Sequence, residues 1–341
     1  MSSDTRPQLT ERLTIRRLGA ESPSSDMGAD VRIGLTAAQK WLPSKYFYDA
    51  LGSKLFEAIC HLPEYYLTRA EGEILSNHSD EIIGRTRHAD RLIELGSGSA
   101  EKTRFLIEAI FRLQDHLHYL PIDISEPSLK QSSHDLLRIY PRLRMTGYVG
   151  DYFGGLRALE QGESAAGGGR TVALFLGSNI GNFGPPESER FLRGCRRILE
   201  SGDALLIGAD LKKSPAELIP AYDDSLGVTA AFNRNILVRL NRELDADFDI
   251  SRFEHRALYD ERAGRIEMHL VSTTPQRVRI AAIDLPVNFS EGETIHTENS
   301  YKFDTDQLAG LAGQTGFNLE RTWFDERRRF SFNLFRAVSI S

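Results

Sequence analysis

Two glycines, Gly96 and Gly98, end the apolar run RLIEL and open the polar stretch GSGSAEKT. Small residues at a strand-to-helix corner let the backbone approach a ligand closely, and three kinds of ligand suit such a corner. A mononucleotide loop requires Gly-Lys-Ser/Thr at its end, whereas Lys102 follows Glu101. A dinucleotide corner wants a third glycine where Glu101 stands, and a carboxylate there would repel a pyrophosphate. S-adenosylmethionine, a nucleoside with an amino-acid tail and no phosphate, meets neither objection. Downstream acids favour it. Asp123 ends the run PIDIS about 25 residues beyond the glycines, where a carboxylate can accept both ribose hydroxyls. Asp151, in VGDYF, is placed to accept an adenine amino group, with Tyr152 along the base. Capping of the next helix is the competing reading for either aspartate. Two of them at consecutive strand ends after a glycine corner favour the cofactor. Lys102 is either a solvated lysine of the first helical turn or a group that reaches the cofactor's carboxylate or ribose.

A second glycine-rich corner, LFLGSNIGNF, contains Asn182. Its amide is both acceptor and donor, which suits an amine nucleophile or a carboxylate; a plain turn asparagine is the alternative.

These residues need a frame. The runs RLIEL, HYLPIDI, MTGYVGD, TVALFLGS and ALLIGADL alternate with helical patterns. One is AEKTRFLIEAIFRL, with Phe105, Leu106, Ala109, Ile110 and Leu113 on one side. Another is PESERFLRGCRRILES, where Cys195 joins Phe191, Leu192 and Leu199 as core. Continuous apolar strands between helices predict an α/β fold, a doubly wound Rossmann-like parallel sheet covered on both faces. Ligands of such a sheet lie beyond the carboxyl ends of its strands. After Leu211 the rhythm changes to a polar helical stretch and then to RIEMHLVSTTPQRVRIAAIDLPVNF, which alternates like half-exposed antiparallel strands. The cofactor domain is therefore assigned to 70–212 and 302–341. A smaller α+β lobe is assigned to 30–69 and 213–301, and residues 1–29, with the loop GAESPSSDMGAD, are expected to be largely flexible. GESAAGGGR is expected to be a flexible connection.

The chain has 341 residues, 40% hydrophobic and 26% charged, as in ordinary globular proteins. A net charge of −6 argues against nucleic acid as a partner. Two cysteines make no disulfide framework, and no signal pattern or membrane-length apolar run occurs. A cytoplasmic protein, not bound to membranes, is expected.

Longer segments carry a more specific message. KYFYDALGSKLFEAICHLPEYYLTRAE, ELGSGSAEKT, PIDISE, LGSNIGNF, AYDDSLGVTAAFN, LNRELDADFD, RIEMHL and HTENSYKF run from about residue 30 to the C-terminus. Through them the sequence resembles the L-histidine Nα-methyltransferases of ergothioneine biosynthesis. Leu67 stands where that family usually has proline, and Asn179 where threonine is common. The resemblance implies a class I methyltransferase, S-adenosylmethionine as cofactor, trimethylation of L-histidine to hercynine, and a pocket between two lobes. It implies that Asn182 and Tyr222 hold the substrate's carboxylate and amino end, and that Tyr65, Glu298 and Ser300 serve the imidazole. Phe56, Tyr48 and Met268 would line the walls.

The residues make partial sense on their own. Glu298 and Ser300, two apart in an extended segment, share a face and offer the acceptor and donor that a neutral imidazole requires. An exposed edge-strand charge is the plain reading of Glu298. Met268 alternates with Ile266 and Leu270 as core, Tyr222 alone is a packing tyrosine, and only the resemblance separates Tyr65 from Tyr66. The reaction is an in-line displacement that needs alignment and desolvation, with no metal. His116 and His118 are the only close histidine pair and have no cysteine partner. The α-amine must shed a proton, and Tyr48, directly or through water, is a plausible relay. A monomer is expected. Rival readings are N-methylation of another amino acid such as a tryptophan derivative, a catalytically silent binding module, and an oxidoreductase that Glu101 disfavours.

Overall fold

The computed structural model describes residues 9–18, 27–86, 88–162 and 169–339. The chain divides into two compact units: Met1–Leu18, Arg69–Leu211 and Phe303–Ser341 form one, Gly19–Thr68 and Lys212–Lys302 the other.

The first unit is built on an eight-stranded sheet. Its order is Leu13–Arg17, Leu143–Val149, Leu117–Asp123, Arg91–Leu95, Thr171–Phe175, Ala204–Asp210, Phe330–Ala337 and Phe317–Phe324. The first six strands run parallel; the C-terminal two form an antiparallel pair that closes one edge. Every residue of Thr171–Phe175 and Ala204–Asp210 is buried, as expected of central strands covered by helices on both faces. One layer of the core packs Leu95, Ile122, Phe175 and Ile207 of the sheet against Phe191, Leu192 and Cys195 of the helix Pro185–Ile198.

Two expectations change. Residues 1–29 are not largely flexible throughout: Leu13–Arg17 is a strand and a helix starts at Met27. The strand's burial alternates weakly at a sheet edge, so its polar composition hid it. The Arg12 guanidinium anchors it by donating to the carbonyls of Leu137, Tyr140, Pro141 and Leu143. The helix Thr103–Leu113 buries Leu106, Ile107, Ala109 and Ile110, whereas Phe105 and Leu113 are 36% and 53% exposed. Its inward stripe is therefore turned from the expected one. Residues 19–26 of the expected N-terminal loop, and 163–168 of GESAAGGGR, lie outside the described residues.

The second unit centres on a four-stranded sheet in the order Lys40–Trp41, Thr294–Tyr301, Arg265–Ser272 and Phe253–Asp260. The helices Ala50–Cys60 and Val228–Glu243 belong to it, as does a hairpin of Gln276–Ile280 with Leu285–Phe289. Among the described residues no helix is long and apolar enough to cross a membrane.

Candidate active site

In the first unit, Arg91–Leu95 and Thr171–Phe175 are neighbours from which the strand order departs in opposite directions. Both glycine corners therefore sit at the switch point, the place where open α/β sheets bind ligands. Gly96 has φ +79° and Gly98 φ +49°, a left-handed backbone that disfavours side chains. A Cβ on Gly96 would also lie 2.9 Å from the Tyr152 hydroxyl and 3.2 Å from Asn179 Nδ2. Asp123 reaches back to this corner: the Gly98 amide donates to its Oδ2 and the Ser125 amide to its Oδ1, each at 2.8 Å. Burial pushes the Asp123 carboxyl up, and these amides oppose the rise.

The structure separates the remaining cofactor candidates. Asp151 caps the helix Tyr152–Gly162, accepting from the Gly154 amide at 2.6 Å. Tyr152 packs edge-on against Phe175, Phe183 and Phe191, with centroids 5.2–6.1 Å apart. Lys102 is not simply solvated, because it pairs with the fully buried Glu71. That carboxylate also accepts the Gly177 amide at 2.9 and 3.0 Å, so one side chain ties the first helical turn to the second glycine corner. Asn182 ends the short helix Asn179–Asn182 in that corner and is half-buried. Below the first corner lies Glu94, which accepts from Thr103 at 2.8 Å and from Tyr119, and burial pushes its carboxyl up to about 7.

In the second unit an aromatic group forms around the proposed walls. Tyr48 lies 5.7 Å from both Phe56 and Phe232, Phe56 lies 6.2 Å from Tyr65, and Tyr65 lies 6.2 Å from Tyr222. The adjacent tyrosines diverge: Tyr65 joins this group, whereas the Tyr66 hydroxyl accepts from Lys213 at 2.7 Å. Burial, with Tyr222 next in importance, holds the Tyr65 phenol well above its ordinary value, so it stays a neutral donor. Met268 is buried and directly opposite Glu298 in the sheet. Burial raises the Glu298 carboxyl to about 7, with the charge of Lys302 pulling it down.

Lys302 is the residue that sequence reasoning missed here. Only 2% exposed, it donates to the Tyr222 hydroxyl at 2.7 Å and to Ser300 Oγ at 2.8 Å. Those two oxygens lie 2.8 Å apart, and the ammonium stands 4.5 Å from the Tyr222 ring centre. Glu71 and Glu94 were missed for the same reason: an isolated charge in a motif reads as surface. The available signal was their place inside HTENSYKF, YLTRAE and ELGSGS.

The first unit fits a nucleoside cofactor on its own terms. Its glycine corner has no room for a Cβ at Gly96, a carboxylate stands at the next strand end, and Ser97 Oγ is buried without a hydrogen-bond partner. A parallel sheet closed by an antiparallel pair, with both glycine corners at its switch point, is the architecture of class I methyltransferases. Comparison with known proteins narrows the class. Residues 27–337 match the family described as "Histidine-specific methyltransferase, SAM-dependent". The chain is 43% identical over 317 residues to the histidine N-alpha-methyltransferase of Mycolicibacterium smegmatis, covering 93% of this chain and 97% of that one. It is 32% identical over 285 residues to ergothioneine biosynthesis protein 1 of Schizosaccharomyces pombe, covering 82% of this chain and 36% of the fungal one. A more distant relative, 26% identical over 310 residues, is the 4-dimethylallyltryptophan N-methyltransferase of Epichloe festucae var. lolii; the match covers 86% of this chain and 90% of that one. The chain belongs to the histidine-specific, S-adenosylmethionine-dependent methyltransferase family.

Proposed function

We propose that this chain methylates the α-amino nitrogen of L-histidine three times, giving hercynine for ergothioneine biosynthesis. The observation that carries the substrate is the pairing of Glu298 with Ser300 on one sheet face. Beside a raised carboxyl stands a hydroxyl already bonded to Lys302 and Tyr222. An ionised Glu298 accepts one imidazole N–H while Ser300 donates to the other ring nitrogen. Indole has a donor and no second ring nitrogen, so it leaves a polar group unmatched, and sites built on such pairing discriminate strongly.

The remaining roles follow the chemistry of each group. Gly96 and Gly98 give backbone access, Asp123 accepts the ribose hydroxyls, and Lys102 stands at the first helical turn beside them. Tyr152 stands at the same corner, its hydroxyl beside Gly96, and Asp151, just beyond the strand Leu143–Val149, accepts the adenine amino group as well as capping its helix. When bound, S-adenosylmethionine supplies an activated methyl for in-line displacement. Asn182 and Tyr222 hold the carboxylate and amino end of histidine, Tyr65 joins Glu298 and Ser300 at the imidazole, and Tyr48 takes the amine proton directly or through water. Phe56 and Met268 exclude water around them.

The test is mass spectrometry of purified protein given methyl-labelled cofactor and a panel of amino acids. Histidine should gain up to three labelled methyl groups on its α-nitrogen. Label on tryptophan in preference to histidine would overturn the substrate assignment.

A further inference from the structure

We infer that Thr297 and Asn233 are positioning residues that set which side chain the protein accepts, by holding the strand bulge that turns Glu298 and Ser300 onto the face carrying Met268. This rests on the histidine reading above.

The register makes the case. Along Thr294–Tyr301, Ile295 stands opposite Leu270 and His296 opposite His269; then the pairing slips, and Glu298, not Thr297, stands opposite Met268. A bulge of one residue changes the face of everything beyond it, because strand side chains alternate with period two. Remove the extra residue in thought, and Glu298 comes to lie opposite Glu267 and Ser300 opposite Arg265. Both would then leave the face of Met268, Leu270 and Ile266, and two carboxylates would oppose each other across the strands, which is unfavourable. The polar pair that reads the imidazole exists on its face only through Thr297.

Something must hold the bulge, since it interrupts the ladder. Thr297 is 1% exposed, and its hydroxyl lies 2.7 Å from Asn233 Oδ1 and 3.0 Å from the Met268 carbonyl. Asn233, fully buried on the helix Val228–Glu243, spends its amide hydrogens on the His269 carbonyl at 3.1 Å and His255 Nδ1 at 2.8 Å. An Nδ1 that accepts requires the proton on Nε2, which lies 2.8 Å from the Tyr222 carbonyl and donates to it. Burial lowers the His255 pKa and keeps that neutral tautomer. One asparagine amide thus fixes the bulge on one side and, through His255, the backbone of Tyr222 on the other. Neither Asn233 nor Thr297 needs to touch substrate.

The experiment compares Thr297→Val, which keeps the shape and loses the hydroxyl, with Thr297→Ser, which keeps the hydroxyl. Asn233→Ala is the second route to the same release should the valine variant fail to fold. The readouts are KM and kcat for L-histidine, kcat/KM for a ring-N-methylated histidine whose masked nitrogen cannot donate, and cofactor affinity by calorimetry. We expect the valine variant to raise the histidine KM about tenfold with a smaller change in kcat, as loss of one buried hydrogen bond implies. Preference for histidine over the ring-methylated analogue should fall by a similar factor, the serine variant should stay within about twofold of wild type, and cofactor affinity should not move. A valine variant that keeps its KM and its preference overturns the inference. So does one that loses activity on both substrates equally, since that is a structural effect alone. Wild-type protein inactive on histidine in the same assay refutes the histidine reading itself, a distinct result.

Discussion

Glu298 serves two opposed demands. Reading an imidazole N–H requires a carboxylate, yet burial makes the ionised form expensive and raises the carboxyl to about 7 from an ordinary 4.5. For a carboxyl raised in the folded state, the stabilising contribution is complete below the unfolded value and is lost as pH climbs to the folded value. Glu298→Gln should therefore melt close to wild type at pH 5 and above it at pH 8, with the gap opening between about 5 and 7. It should also lose histidine kcat/KM by at least an order of magnitude, since a charge-assisted bond contributes about 1.5–3 kcal/mol. Thermal melts across that range and steady-state kinetics check both halves; a glutamine variant less stable at pH 8 would show that the carboxylate is structural. Lys302 sets the other side of the balance. Lys302→Met keeps length but removes the charge that holds Glu298 down, so the pH at which histidine kcat/KM is half-maximal should move upward. An unmoved profile would mean that Lys302 acts only through its hydrogen bonds to Tyr222 and Ser300. At this scale the sequence was legible where spacing does the work: two glycines, an aspartate some 25 residues on, two polar residues two apart. Buried charges such as Lys302 and Glu71 were not legible, because what buries and pairs them comes in part from other segments of the chain, Tyr222 for Lys302 and Lys102 and Gly177 for Glu71.

Among the elements, the helix Tyr66–Thr86 meets the strand Ala204–Asp210 at a point with no spare room. A Cβ on Gly208 would fall 1.9 Å from Glu71 Oε1 and 3.1 Å from the Phe330 ring. The glycine is there because the carboxylate that pairs with Lys102 and binds the Gly177 amide needs its place. Gly208→Ala should destabilise the protein by roughly 1–3 kcal/mol, the usual range for overpacking, and should weaken cofactor binding by dislodging Glu71. In a Glu71→Ala background the same substitution should cost little. Denaturant unfolding of the two single variants and the double gives the coupling directly, and additive costs would dismiss the contact. Element existence followed from apolar rhythm for all the central strands. What the rhythm concealed was positional: the edge strand Leu13–Arg17, with its polar sequence, and the bulge at Thr297, which no period-two pattern announces. The helix stripe at Thr103–Leu113 erred by a fraction of a turn, because Phe105 and Ile107 are equally apolar and only packing separates them.

For the whole molecule, the two units divide the assigned ligand groups between them. Gly96, Gly98, Lys102, Asp123, Asp151 and Tyr152 belong to the first unit, as does Asn182; Tyr48, Phe56, Tyr65, Tyr222, Met268, Glu298 and Ser300 belong to the second. The residues 212–302 leave the first unit and return to it at one place, for Leu211 and Phe303 form a bridge and the Phe303 amide donates to the Asp210 carbonyl at 2.9 Å. Long excursions from such a pinned point add little closure entropy. The cofactor should accordingly leave its mark on the first unit, and histidine on the second and on the segment of Asn182. Hydrogen exchange with S-adenosylhomocysteine alone should slow the amides of 96–103 and 121–126, where the Gly98 and Ser125 amides already hold Asp123. Adding L-histidine should then slow 220–224 and 294–302, the segments carrying Tyr222, Glu298, Ser300 and Lys302. Strong protection of 294–302 by the nucleoside alone, or of 96–103 by histidine alone, would show that the ligand groups are not divided in this way.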